Sequence, residues 1–211
     1  IEPEVGVFAW YTLSDNTTQK EYFLRQAIVA TEKVSRKDGY WLETELVPKI
    51  GFSSVYKMLL TGPARNPKNV HRLVVREGQG PVEDIDVSQA EDGRKDEELP
   101  RAAAGTETIT FPGGKVEAEH FIVEDSTGTT EIWVSDQVRP MGLVRMKTPQ
   151  GELMLQRYGI GGKDGDSALP VAQAPGEAAV PPSDGTADEG GKDSRKSKKP
   201  RTNFGSKRRG R

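Results

Sequence analysis

The chain contains no cysteine, which excludes disulfide frameworks, thiol catalysis, zinc ribbons and iron–sulfur clusters, and leaves the redox compartment unreadable from thiol usage. Histidine is nearly absent. With only His71 and His120, an HExxH metalloprotease site and a three-histidine zinc site are both impossible, and no metal site or cofactor is expected. Aromatic residues make up 7% and hydrophobic residues 34% of the 211 positions, too few for one continuously packed domain of that length. Long apolar runs are missing too. The longest, Val5 to Trp10, is interrupted by Gly6 and falls far short of the roughly 20 residues of a membrane-spanning helix. No transmembrane segment is predicted. Because the first residue is Ile1 rather than methionine, the sequence is read as processed or trimmed, for instance by removal of a signal peptide.

Charge divides the chain. Residues 192–211 hold ten Lys or Arg against one acid, Asp193, which leaves 20 basic and 31 acidic side chains in residues 1–191, a net of −11. Residues 161–191 are Gly, Pro, Ala, Ser and Asp with almost no large apolar side chain, a composition that cannot bury enough surface to offset its ordering entropy. The expected organisation is an antiparallel β domain over 1–160, a disordered linker over 161–191 and a disordered basic tail over 192–211. A polar stretch, 83–105, is expected as a surface loop insertion, with helix as the rival for part of it.

The folded part reads as strands. Tyr40, Leu42, Thr44 and Leu46 alternate with Trp41, Glu43, Glu45 and Val47, the two-residue period of a strand between different environments, and Asp38-Gly39 is a hairpin-turn signal. Further strands are expected at 5–13, 21–34, 70–77, 106–111, 115–124, 130–135, 143–147 and 152–158. They are punctuated by Asp15-Asn16, Pro112-Gly113-Gly114, Ser126-Thr127-Gly128 and Pro149-Gln150-Gly151. Residues 49–60 fit both a helical stripe and a strand face; strand is preferred because 70–77 supplies an antiparallel partner. Such short connections favour antiparallel neighbours. About ten strands in a meander must curl or close to hide an apolar face. The predicted fold class is therefore mainly all-β, a strongly curved antiparallel meander forming a half-barrel or barrel.

Catalytic motifs are missing. Gly51-Phe-Ser-Ser-Val55 fails the nucleophile-elbow pattern at its last position, and Gly159-Ile-Gly-Gly-Lys-Asp164 has Asp where a phosphate loop needs Ser or Thr. Asp164-Gly-Asp166 is too short for a calcium loop, and Glu43 and Glu45 read as a solvated strand face. Asn16-Thr17-Thr18 matches a glycosylation acceptor but reads as turn chemistry. His120, on a strand face with Val116, Ala118 and Ile122, reads as a hydrogen-bonded core histidine, and His71 as a surface or edge residue.

From Phe111 the chain reads FPGGKVEAEHFIVEDSTGTTEIWVSDQVRPMGLVRMKTPQGELMLQRYG. Through Pro112, Gly113, Lys115, Ala118, His120, Ile132 to Ser135, Pro140, Gly142, Leu143, Val144 and Met146, it resembles exported bacterial envelope proteins of uncharacterised activity. The resemblance implies a periplasmic or envelope-associated protein whose curved sheet is similar to the half-barrels of lipoprotein carriers. Absence of a lipidatable cysteine departs from a lipoprotein.

Three functions follow as expectations. The first is a non-enzymatic binding protein whose concave sheet face holds an apolar ligand or lipid, with Trp41, Phe121, Trp133, Met146 and Tyr158 as candidate lining that also reads as ordinary core. The second is a structural or interaction module of an envelope assembly, docking onto a protein partner. The third is binding of nucleic acid or another anionic surface through Arg195, Lys196, Lys198, Lys199, Arg201, Lys207, Arg208, Arg209 and Arg211, against which stands attraction of the tail to its own acidic domain.

Overall fold

The computed structural model describes residues 3–87, 102–126 and 128–169. They form one open antiparallel sheet of eleven strands. In chain order these are β1 (Val7–Asp15), β2 (Lys20–Val34), β3 (Lys37–Pro48), β4 (Ser54–Leu60), β5 (Val70–Arg76), β6 (Val82–Ile85), β7 (Ala102–Phe111), β8 (Gly114–Asp125), β9 (Gly128–Val134), β10 (Leu143–Thr148) and β11 (Gly151–Ile160), followed by a single helical turn, α1 (Gly162–Gly165). The spatial order is β6-β5-β4-β3-β2-β1-β11-β10-β9-β8-β7. Two meanders are thus joined where β1 pairs with β11, from Val7 opposite Ile160 to Asp15 opposite Gly151.

Local chemistry explains most connections. The Asp15 carboxylate accepts from the amides of Thr17 (2.7 Å) and Thr18 (3.0 Å), and these bonds pull its pKa below the usual aspartate value. The glycosylation-like triplet therefore sits in a turn. Between β2 and β3 the turn is Ser35-Arg36, with Ser35 at φ 58°, because Val34 pairs with Lys37. Asp38-Gly39, expected as that turn, instead lies inside β3. A Cβ on Gly39 would approach the carbonyls of Glu32 and Leu60 to 3.0 and 3.2 Å, so glycine serves close strand packing there. Residues 54–60 are a strand, as the alternating burial of Val55, Lys57 and Leu59 requires.

Curvature comes from register shifts in which β2, β5, β7, β10 and β11 each carry one extra residue, since bulges bend a strand and increase its twist. The sheet does not close; β6 and β7 are its edges. It curls nonetheless. The tip of the β7–β8 hairpin reaches back to β11, where a Cβ on Gly113 would meet the Gln156 carbonyl at 2.9 Å, and the Phe111 and Tyr158 rings lie 6.1 Å apart. Ala9, Tyr11, Ile109, Phe111, Val116, Ala118, Trp133, Val138, Val144, Leu153 and Leu155 form the apolar core inside that curl.

Two sequence boundaries need correction. The 83–105 insertion begins and ends in strand: Val82–Ile85 pairs with β5, and Ala102 pairs with Ile122 at the far end of β8, so only 86–101 connects the two edges. Residues 88–101 lie outside the described residues. The linker expected from 161 is packed against the sheet as far as Leu169, which is 2% exposed. The remainder of the linker and the basic tail, 170–211, also lie outside the described residues.

Candidate functional site

The segment 161–169 is a strap over the face formed by β1 to β4. Its polar anchors were hidden in the sequence as scattered strand charges. Arg25 is 2% exposed and Glu43 is 0% exposed, and the two are ion-paired. The Arg25 guanidinium also donates to Glu45 (3.2 Å) and to the carbonyls of Asp164 (2.7 Å) and Asp166 (2.9 Å). Glu43 in turn accepts from the Ser167 hydroxyl and from the Ala168 amide at 2.8 Å. Trp10 Nε1 donates to Asp164 at 3.0 Å. A carboxylate and a guanidinium can be this buried only because nearly every donor and acceptor is used. The solvated-face reading of Glu43 is therefore overturned by a strap whose Gly-, Asp- and Ser-rich composition reads as coil. Gly165 seats the strap: a Cβ there would lie 2.4 Å from the Gly6 carbonyl. Asp164 and Asp166 thus serve as strap anchors through their carbonyls and a side chain.

Two grooves flank this network. One, of about 440 Å³, lies on the strap side and is lined by Trp41, Lys57, Arg72, Val74, Val82, Asp84 and Leu169, among others. Lys57 Nζ sits 5.2 Å from the Trp41 ring centre, and burial pushes its pKa below the usual lysine value against the attraction of Glu43. The groove pairs its charges internally, since Arg72 holds Asp84 at 2.6 Å and Trp41 Nε1 donates to Glu32 at 2.8 Å.

The other groove, of about 460 Å³, is mostly apolar. Ile28, Leu42, Tyr40 and Leu60 form its floor, the β4–β5 loop supplies Pro63 and Ala64, and Pro140 and Met141 of the β9–β10 loop form the opposite wall. That loop is held by hydrogen bonds from Ser135 N to Gly142 O (2.7 Å) and from Val138 N to Ser135 O (3.1 Å), and the Arg139–Glu4 ion pair ties it to the N-terminal segment. Val138, 0% exposed, pins it to the core. Tyr40 donates to the Gly62 carbonyl at 3.1 Å, and burial raises its pKa. Met141, 49% exposed, stands at the mouth. The size falls within the range of small-molecule sites, about 300–1,000 Å³.

None of the five side chains expected to line a ligand cavity lines this groove. Trp41 faces the strap-side groove. Trp133 is 4% exposed in the core, and Met146 and Tyr158 pack against that core. Phe121 is half-buried and paired with Ile132. The groove is lined instead by the neighbours of Trp41 in β3, whose small periodic signal is that of any strand, and by Pro-containing loops. His120 is the buried histidine its strand face implied, 8% exposed. Its ring stacks on Trp133 at 4.3 Å, and the oxygens of Glu107 and Glu131 lie 3.1 Å from Nδ1 and Nε2, the latter without hydrogen-bond alignment. Trp133 Nε1 donates to Glu107 at 3.2 Å. His71 is exposed and lies with Nε2 2.7 Å from Thr61 Oγ1. Among the described residues, no three His, Asp or Glu side chains are grouped to hold a metal ion, and no helix is long and apolar enough to cross a membrane.

No family model matches the chain, and neither a curated protein nor a solved structure does.

Proposed function

We propose that the protein is a non-enzymatic binding protein that receives an apolar ligand, or the hydrocarbon part of a lipid, in the groove between β3–β4 and the β9–β10 loop. The observation that carries this is the groove's lining: apolar side chains on a buried β-sheet floor, with Met141 exposed at the mouth. Polar side chains in the lining, Asp38, Tyr40, Thr61 and Arg65, are few, the pattern of a site that gains affinity from burial and orientation from a small number of polar groups. An envelope or periplasmic location accompanies the proposal through the resemblance of residues 111–159; fractionation of the producing cell tests it. The functional test is titration of an apolar fluorophore into the full chain. Saturable binding that Met141→Glu weakens at least tenfold supports the reading. Equal binding by both proteins places the fluorophore elsewhere and removes the groove as the site.

A further inference from the structure

The chain has no cysteine and four methionines, so thioethers are the only sulfur groups that an oxidant can attack. All four lie among the described residues, and they differ in access. Met58 is half-buried in β4, paired with Leu42 on one side and Leu73 on the other, and Met146 and Met154 are half-buried against the core. Met141 alone is exposed, at 49%. Oxygen transfer needs the oxidant in contact with the sulfur, so a mild oxidant in solution meets Met141 first.

Met141 also stands where a change of polarity has most effect. It shares a wall of the 460 Å³ apolar groove with Pro140, across from the floor of Ile28, Leu42 and Leu60. Its backbone is held in place. Gly142 donates to the Val138 carbonyl at 2.6 Å and accepts from the Ser135 amide at 2.7 Å, and Val138 is fully buried, so the loop cannot swing Met141 away without breaking these bonds. A peroxide converts the thioether to a sulfoxide by a balanced step: the sulfur lone pair attacks one peroxide oxygen, the O–O bond breaks, and a proton shift releases water. Sulfur is oxidised and hydrogen peroxide is reduced. The flexible apolar side chain becomes a polar one. An apolar ligand that covers a sulfoxide strips its water and offers no hydrogen bond in return, which makes burial at that wall unfavourable.

We infer that Met141 is an oxidation site that sets the affinity of the groove: the thioether form retains an apolar ligand, the sulfoxide form releases it, and reduction restores retention. This rests on the reading of the groove as the ligand site.

The test is treatment of the full chain with dilute hydrogen peroxide, followed by peptide mass spectrometry and by titration with the apolar fluorophore. The expected result is a sulfoxide at Met141 before Met58, Met146 or Met154, with binding at least about fivefold weaker, the low end for burying an unpaired polar group. Methionine sulfoxide reductases are expected to restore it. Met141→Leu lacks the sulfur and is compared with itself before and after the same treatment; its own affinity, whatever its value, is expected not to change with peroxide. Oxidation of all four methionines at equal rates overturns the inference, as does equal binding by the Met141 sulfoxide form, an equal peroxide effect on Met141→Leu, or a loss of binding that accompanies unfolding by circular dichroism. A chain that binds no fluorophore before oxidation removes the groove reading and this inference with it, whereas binding that peroxide leaves unchanged removes this inference alone.

Discussion

Arg25 and Glu43 form an ion pair sealed under a strap of the chain's own residues, with each partner also hydrogen-bonded to that strap. Burying two charges is costly, and the arrangement holds only while every member is present. Glu43→Ala leaves Arg25 buried without its main counter-charge. It is expected to cost about 3–5 kcal/mol, the range for breaking one side of a buried pair. Urea denaturation measures this, and limited proteolysis is expected to cut within 161–169 first.

The strap makes the folded unit longer than its strands. A chain ending at residue 160 loses two acceptors of Arg25, two donors to Glu43 and the buried Leu169. Leu169 alone contributes about 1.5–3 kcal/mol through burial. Compared with a chain ending at residue 172, the shorter one is expected to unfold at clearly lower urea concentration. Equal midpoints would show that the strap adds nothing to stability.

Tyr11 gives the domain an alkaline limit. It is 0% exposed, its hydroxyl donates to the Leu143 carbonyl at 3.0 Å, and burial raises its pKa well above the ordinary tyrosine value. A raised folded-state pKa means stability that is complete below the unfolded value, about 10, and lost as pH rises through it toward the folded value. Lys57 has the opposite sign: its lowered pKa penalises the folded state at neutral pH, and that penalty fades as pH rises toward about 10.5. Tyr11→Phe is expected to cost about 1 kcal/mol at pH 7 through the lost hydrogen bond and to flatten the decline above about pH 10. Melting curves across that interval check both.

Trp133 separates core from site. Buried at 4% and stacked on His120, it is expected to cost about 3–5 kcal/mol when replaced by alanine. Any Trp133→Ala protein that remains folded is expected to bind the fluorophore as the wild type does. Selective loss of binding at unchanged stability would move the site to Trp133.

The sheet was legible in the sequence because two-residue alternation and turn residues are local signals. Asp15-Asn16, Pro112-Gly113 and Pro149-Gln150 mark connections where they occur. The joining of the two meanders was not legible: β1 meets β11 at sequence separations of 136 or more, and no local pattern announces that pairing or the sheet's staying open. The strap was invisible for a physical reason. Its affinity resides in backbone carbonyls of Asp164 and Asp166 and in small residues, while the matching charges, Arg25 and Glu43, look like surface residues until something covers them. Aromatic side chains attracted the ligand-site reading, yet size and hydrophobicity drew most of them into the core or against the strap. Leu42, beside Trp41 but on the opposite face, lines the groove instead.

The most direct test of the binding function is native mass spectrometry of the full chain, recovered without detergent from the cell that produces it, beside its Ala64→Trp variant, whose added indole occupies the groove. The account predicts a discrete adduct of lipid or other apolar-ligand mass on the wild type and its loss from the variant. A wild type that carries the bare polypeptide mass while folded, or an adduct that survives in Ala64→Trp, would contradict it.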